Sequence, residues 1–193
     1  MSLAIVPAAG KAERFGSAKL VADVGGQPMV ARTVRSLLDG GVSRVVVVVA
    51  PGSPVIDLHE TRKAFPAPAV VLAINPDPDR GMFSSIQAGL AAAEAEIVLV
   101  LPADMPFVRP ATVAAVLAAA ARGDAVVLPT WQGRHGHPIA IPGALRDAIL
   151  SAPSGSSLKP VLAATGIEHR ELEVIDRGIL RDVDAPADLR PVD

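Results

Sequence analysis

The chain has 193 residues, half of them apolar, a fifth charged and only 3% aromatic, with a formal net charge of −2 and no cysteine. That length fits one domain spanning residues 1–193, and the charge balance and scarce aromatics argue against a nucleic-acid partner. The lack of cysteine removes disulfides, thiolate metal sites and a cysteine nucleophile. The most apolar runs, Val45–Ala50 and Ile97–Pro102, are too short to span a bilayer. The opening MSLAIVPAAGKAERFG has no basic segment ahead of an apolar core, so a cytoplasmic protein without membrane contact is expected.

In chain order, Leu3–Val6 reads as a buried strand, because a continuous apolar run suits a sheet covered on both faces. Pro28–Leu38 has helical spacing and stops at Gly40-Gly41. Arg44–Val49, with five valines in a row, is a second buried strand. Pro54–Phe65 reads as a weaker helix, Ala69–Ile74 as a strand, Ser84–Glu94 as a helix and Ile97–Leu101 as a strand. Pro110–Arg122 is an alanine-rich helix closed by Gly123, followed by a strand at Ala125–Leu128. The last third is less regular: strands at His137–Ile141 and Glu168–Ile175, a short helix at Gly143–Leu150 and a closing turn at Pro186–Leu189. Alternating strand and helix predicts a Rossmann-like α/β fold, a mostly parallel sheet with helices on both faces. Ligands in such a fold sit at the carboxyl ends of the strands.

Four loops carry the chemistry. After the first strand come Ala8, Ala9 and Gly10, then Lys11, Arg14, Gly16 and Lys19. Small residues let a backbone approach a ligand, free N–H groups make an anion nest, and Arg14 and Lys19 suit phosphate; the alternative is a plain connecting loop with solvated cations. The spacing fits neither common glycine-rich phosphate motif. In LPADMPFV, Asp104 follows the fourth strand, and a carboxylate there suits Mg²⁺ shared with substrate phosphates. A helix cap is the alternative, but the next helix starts too far on. In RGMFSSIQAGL, Gly81 allows close approach, and Ser84 and Ser85 either cap a helix or face an anion. In LRDVDAPADL, Asp182 and Asp184 share a side of an extended segment as metal ligands, with capping of the final turn open for Asp184. His135 and His137 alone make a weak metal motif. No G-x-S-x-G elbow accompanies the serines, which disfavours a hydrolase.

Taken together, PAAGKAERFGSAKL, NPDPDRGMFSSIQAGL, LPADMPFV, GRHGHPIAI and RDVDAPADL resemble, in order, the motifs of the MobA-like NTP transferase family. Within that family they resemble the molybdenum cofactor cytidylyltransferase branch. The likeness runs from Leu3 to about Leu189. Departures are Pro7 for a usual leucine, Ala12 where glycine or serine is common, and Phe83 within a usual serine triplet. The resemblance implies a three-layer α/β/α fold with a mixed sheet of the nucleotide-diphospho-sugar transferase type and a Mg²⁺-dependent reaction. CMP would pass from CTP to the phosphate of the molybdenum cofactor, molybdopterin, with release of pyrophosphate; Ala8-Ala9-Gly10 leans to CTP over GTP.

It further implies that Ala8, Ala9, Gly10, Arg14, Gly16 and Lys19 wrap the triphosphate, with Asn75, Gly81, Ser84 and Ser85 near the nucleotide. Arg14, Lys19 and Asp104 would be the catalytic groups, and Asp104 with Asp182 or Asp184 would hold Mg²⁺. Arg134, His135 and His137 would face the acceptor. Expected partners are small molecules, with transient contact to a molybdoenzyme or its chaperone. A guanylyltransferase, a sugar-phosphate nucleotidyltransferase and a nucleotide-binding module without turnover are the alternatives.

Overall fold

Leu3–Val6 and the valine run before Ala50 lack the polar alternation of a half-exposed strand, so each needs cover on both faces. In the computed structural model, which describes residues 1–10, 19–60, 65, 68–153 and 155–189, they are buried interior strands of the sheet. Strand β1 (Ser2–Ala8) leads through helix α1 (Met29–Asp39) to β2 (Arg44–Val49), which lies parallel to β1 with Leu3 opposite Arg44 and Ala8 opposite Val49. Helix α2 (Val55–Glu60) then leads to β3 (Val70–Ile74), parallel to β2. Helix α3 (Met82–Ala92) carries the chain back across the sheet to β4 (Ile97–Val100), parallel to β1 on its other side.

After α4 (Pro110–Ala120) come β5 (Val126–Trp131), the two-residue β6 (Arg134–His135) and β7 (Ile139–Pro142). Short helices α5 (Arg146–Leu150) and α6 (Leu158–Ala164) precede β8 (His169–Glu173). Among the described residues the sheet runs β3-β2-β1-β4-β7-β5-β6, with β8 parallel on β5; β7 is antiparallel to both β4 and β5. The expected mostly parallel mixed sheet is therefore present.

Alternate residues of each central strand feed opposite cores. Ala4, Val6, Val45, Val47 and Leu99 meet Val30, Val34 and Leu37 of α1 and Val113 and Val116 of α4. Leu3, Ile5, Val46, Val48 and Val98 meet Phe83, Ile86 and Leu90 of α3, Ile149 of α5 and Leu162 of α6. Period-two burial on strands and 3.6-residue burial on helices together give the three layers.

Several elements depart from the sequence reading. Helix α3 starts at Met82 rather than Ser84, and β5 runs on to Trp131. Helix α2 ends at Glu60 within the described residues, and the rest of its expected span, 61–64, lies outside them. Among the described residues no helix is long and apolar enough to cross a membrane.

Candidate active site

The chain departs from β1 toward β2 on one side while β4 pairs on the other, so a crevice opens at the carboxyl ends of β1 and β4. Pairing continues past the strands: Leu101 donates its N–H to Ile5 O at 3.1 Å and Ala103 to Pro7 O at 3.1 Å. These bonds hold the Asp104 loop beside Ala8, Ala9 and Gly10. A cleft of about 850 Å³ lies there.

Lys19 is the centre of its charge. Its Nζ donates to Asp104 Oδ2 at 2.9 Å and to Asp184 Oδ1 at 3.1 Å. Burial alone would lower the Lys19 pKa, but the hydrogen bonds and charges of Asp104 and Asp184 offset it and hold the ammonium above its ordinary value. The Asp184 segment is fastened over the Asp104 loop by the Val183 N–H, which donates to Asp104 O at 2.9 Å. Among the described residues no three His, Asp or Glu side chains gather as a metal cage. Two carboxylates converging on one cation nevertheless fit Mg²⁺, which takes one or two carboxylates and completes its shell with phosphate and water.

Of the residues singled out from sequence, Ala8, Ala9, Gly10, Lys19, Gly81, Ser85, Asp104, Arg134, His135, His137, Asp182 and Asp184 all line this cleft. Arg14 and Gly16, with Lys11, lie outside the described residues. Asn75 and Ser84 are not on the cleft wall. Asn75 is 2% exposed, and its Nδ2 donates to Ser84 Oγ at 2.8 Å and Ser85 Oγ at 3.0 Å. This buried cluster ties the end of β3 to the first turn of α3.

Neither serine caps α3, contrary to one sequence reading. The cap position belongs to Gly81, at φ 86°, which starts the helix before either serine is reached. Asp184 does not cap the final turn with its side chain either. The carboxylate of Asp188 accepts from the Asp184 N–H at 3.1 Å and the Ala185 N–H at 2.8 Å, leaving the Asp184 side chain to Lys19.

The two histidines do not converge. His135 Nε2 lies 2.7 Å from Glu171 Oε1 on the exposed lip. His137 Nδ1 lies 3.3 Å from Val100 O; a carbonyl only accepts, so this nitrogen carries the proton. Burial lowers the His137 pKa against the opposite pull of the Val100 carbonyl and the Asp104 charge, so the ring is neutral near pH 7.

Sequence reasoning passed over Leu20, Pro78, Asp79, Met82, Ile179 and Leu180, which also line the cleft. Pro78, Asp79 and Met82 flank Gly81, so that glycine was a usable signal; Ile179 and Leu180 carry no such mark. Also passed over was Asp176, a buried carboxylate behind the cleft wall.

Residues 4–172 match the MobA-like NTP transferase domain. The chain belongs to the MobA-like NTP transferase family. Both the family and its fold are what the motif resemblance implied.

The relatives of this MobA-like chain divide over substrate. A 2-C-methyl-D-erythritol 4-phosphate cytidylyltransferase of Rhodococcus opacus is 37% identical over 130 residues, 66% of this chain and 54% of that protein. The match thus spans about half of that relative's length. A probable molybdenum cofactor guanylyltransferase of Natronomonas pharaonis is 27% identical over 96% of this chain and 93% of its own. A molybdenum cofactor cytidylyltransferase of Escherichia coli is 25% identical over 95% and 91%. The fold is shared with a nucleotidyl transferase structure from Methanothermobacter, with TM-score 0.76, 23% identity and coverage of 97% and 94% of the two chains.

Proposed function

We propose that this chain, as a single domain, is a Mg²⁺-dependent cytidylyltransferase that moves CMP from CTP to the phosphate of the molybdenum cofactor and releases pyrophosphate. The observation that carries the reading is the convergence of Asp104 and Asp184 on the Lys19 ammonium, beside the Ala8–Gly10 backbone at the switch of the sheet. The full-length likeness to a molybdenum cofactor cytidylyltransferase and the Ala8-Ala9-Gly10 start support the choice of acceptor and base.

The acceptor phosphate has a second pKa of about 6, so it arrives ionised and needs no general base. Its oxygen forms the new bond to the α-phosphorus as the bond from that phosphorus to the bridging oxygen breaks, and the electron pair leaves with pyrophosphate. The difficulty is electrostatic, since two anions must meet. The Ala8–Gly10 backbone and Gly81 bound the space for the triphosphate, Arg14 and Lys19 offset its charge, and Ser85 lies on the same wall. Mg²⁺ held by Asp104 with Asp184 or Asp182 would neutralise phosphate charge and orient the reacting groups. Arg134, His135 and His137 line the same cleft, and the acceptor would sit against them. A cytoplasmic site of action and a transient handover to a molybdoenzyme or its chaperone complete the reading.

Pyrophosphate release tests it: each of the four NTPs, Mg²⁺ and molybdenum-loaded molybdopterin, with Asp104→Asn as control. Release with CTP, reduced about 10²–10³-fold in the variant, is the expected result. Release with GTP alone would move the base assignment to guanine. The likeness to the Rhodococcus protein favours one second reading, a sugar-phosphate acceptor with the same CTP. It predicts turnover with 2-C-methyl-D-erythritol 4-phosphate and none with molybdopterin.

A further inference from the structure

Asp176 is the most deeply buried carboxylate among the described residues, at 3% exposure. Its Oδ2 accepts from the Arg109 N–H at 2.9 Å and from the Thr112 hydroxyl at 2.6 Å; its Oδ1 accepts from the Gly178 N–H at 2.9 Å. Arg109 Nε lies 4.0 Å from Oδ1. A buried carboxylate is tolerated only when such bonds replace its water, and even then a neutral packing solution is often as stable. A helix start is ordinarily capped by its own flanking residue. Here Arg109 occupies the cap position of α4 and makes no side-chain cap bond, while the capping carboxylate comes from 67 residues along the chain.

That long-range cap joins the two segments that bear the site's carboxylates. On one side, α4 follows directly from the loop carrying Asp104. On the other, Gly178 sits in the 3-10 turn Arg177–Leu180, which leads to Asp182 and Asp184. The turn is pressed against the Asp104 loop, since a Cβ on Gly178 would overlap the Phe107 carbonyl. Ile179 O accepts from the His137 N–H at 2.9 Å, which fixes the turn's other flank. From there the chain reaches Val183, whose N–H bonds Asp104 O.

We propose that Asp176 is a positioning residue that sets how Asp104 and Asp184 face each other, and thereby the affinity of the site for a divalent ion, without touching any ligand. The inference rests on the reading that these two carboxylates hold the metal. A residue that merely capped α4 would change stability and leave metal affinity alone.

The test is Mn²⁺ binding followed by electron paramagnetic resonance, with CTP and separately with GTP. The proteins are wild type, Asp104→Asn, Asp176→Asn, Thr112→Val and Thr112→Ser. Groups that orient metal ligands typically alter affinity about 10–100-fold, so Asp176→Asn should weaken Mn²⁺ binding by at least about tenfold, with nucleotide affinity in the absence of metal unchanged. Thr112→Val, which keeps the carboxylate but removes one of its donors, should weaken it by a smaller factor. Thr112→Ser, which restores the hydroxyl, should match wild type. Folded Asp176→Asn with wild-type Mn²⁺ affinity overturns the positioning role while leaving the metal reading intact, provided Asp104→Asn weakens binding. If Asp176→Asn does not fold, wild-type affinity in Thr112→Val overturns it equally. Equal Mn²⁺ binding by wild type and Asp104→Asn overturns the metal reading and this inference together.

Discussion

Lys19 shares its ammonium between Asp104 and Asp184, and the exposures of the three differ: its side chain is 11% exposed, theirs 28% and 55%. Solvent screens the Asp184 arm, so the pair adds at most about 1 kcal/mol of stability. Its folded pKa is raised, so that contribution is complete below the ordinary lysine value of 10.5 and is lost only as pH climbs through the folded one. The proposed transfer depends on the ammonium far more heavily. Lys19→Met should cut pyrophosphate release about 10²–10³-fold and move the urea midpoint little; a large loss of stability at normal rate would show a structural role instead. His137 gives the opposite pH signature. With its folded pKa below the ordinary 6.5, the unfolded chain takes up the proton first, so its stabilising share is complete above that value. The share is lost as pH falls toward the folded pKa. Urea midpoints between pH 7 and pH 5 should fall less steeply for His137→Gln than for wild type.

At the scale of elements, the turn before α3 depends on Gly81, at φ 86° and ψ −179°, a region close to glycine-only. No atom lies within 4 Å of where a Cβ would stand, so Gly81→Ala should cost about 1–3 kcal/mol through backbone strain alone, read as a urea-midpoint shift. Elements with a strong local pattern are legible in the sequence: the continuous valine run of β2 falls on the expected Arg44–Val49, and the helically spaced α1 is displaced by a single residue at each end. Pro129 made β5 look shorter than it is; within the strand its carbonyl accepts from the Gly136 N–H at 2.8 Å, and proline's missing donor is tolerated. Helix α6 escaped notice because Pro160 reads as a breaker, yet it stands in the first turn, where a backbone N–H has no helical partner. The reversal of β7 has no local signature, since strand direction is set by pairing with β4 and β5.

At the scale of the molecule, the site is an assembly of strand exits, which explains what could be read from sequence. Asp104 follows the apolar run of β4, where a charge has no packing role, whereas Lys19 opens the 3-10 turn Lys19–Val21 and Asp184 lies between the turns Arg177–Leu180 and Pro186–Leu189. Their convergence across 85 and 165 residues of chain, and the Asp176 clasp on Thr112 across 64, are products of topology and leave no spacing to recognise. A cleft built from segments so far apart in sequence couples ligand binding to the stability of the whole. A ligand that binds only the folded chain adds about 2.7 kcal/mol at a hundred times its dissociation constant. For a chain of 193 residues each kcal/mol is worth about 2–4 °C, so saturating CTP with Mg²⁺ should raise Tm by about 5–10 °C. On the proposed reading the metal and the triphosphate share the Asp104–Asp184 site, so neither alone should reach that value. EDTA should return the CTP-loaded protein to the smaller shift of nucleotide alone. Asp104→Asn should show that smaller shift with or without Mg²⁺, and an undiminished Mg²⁺ increment in that variant would place the metal elsewhere.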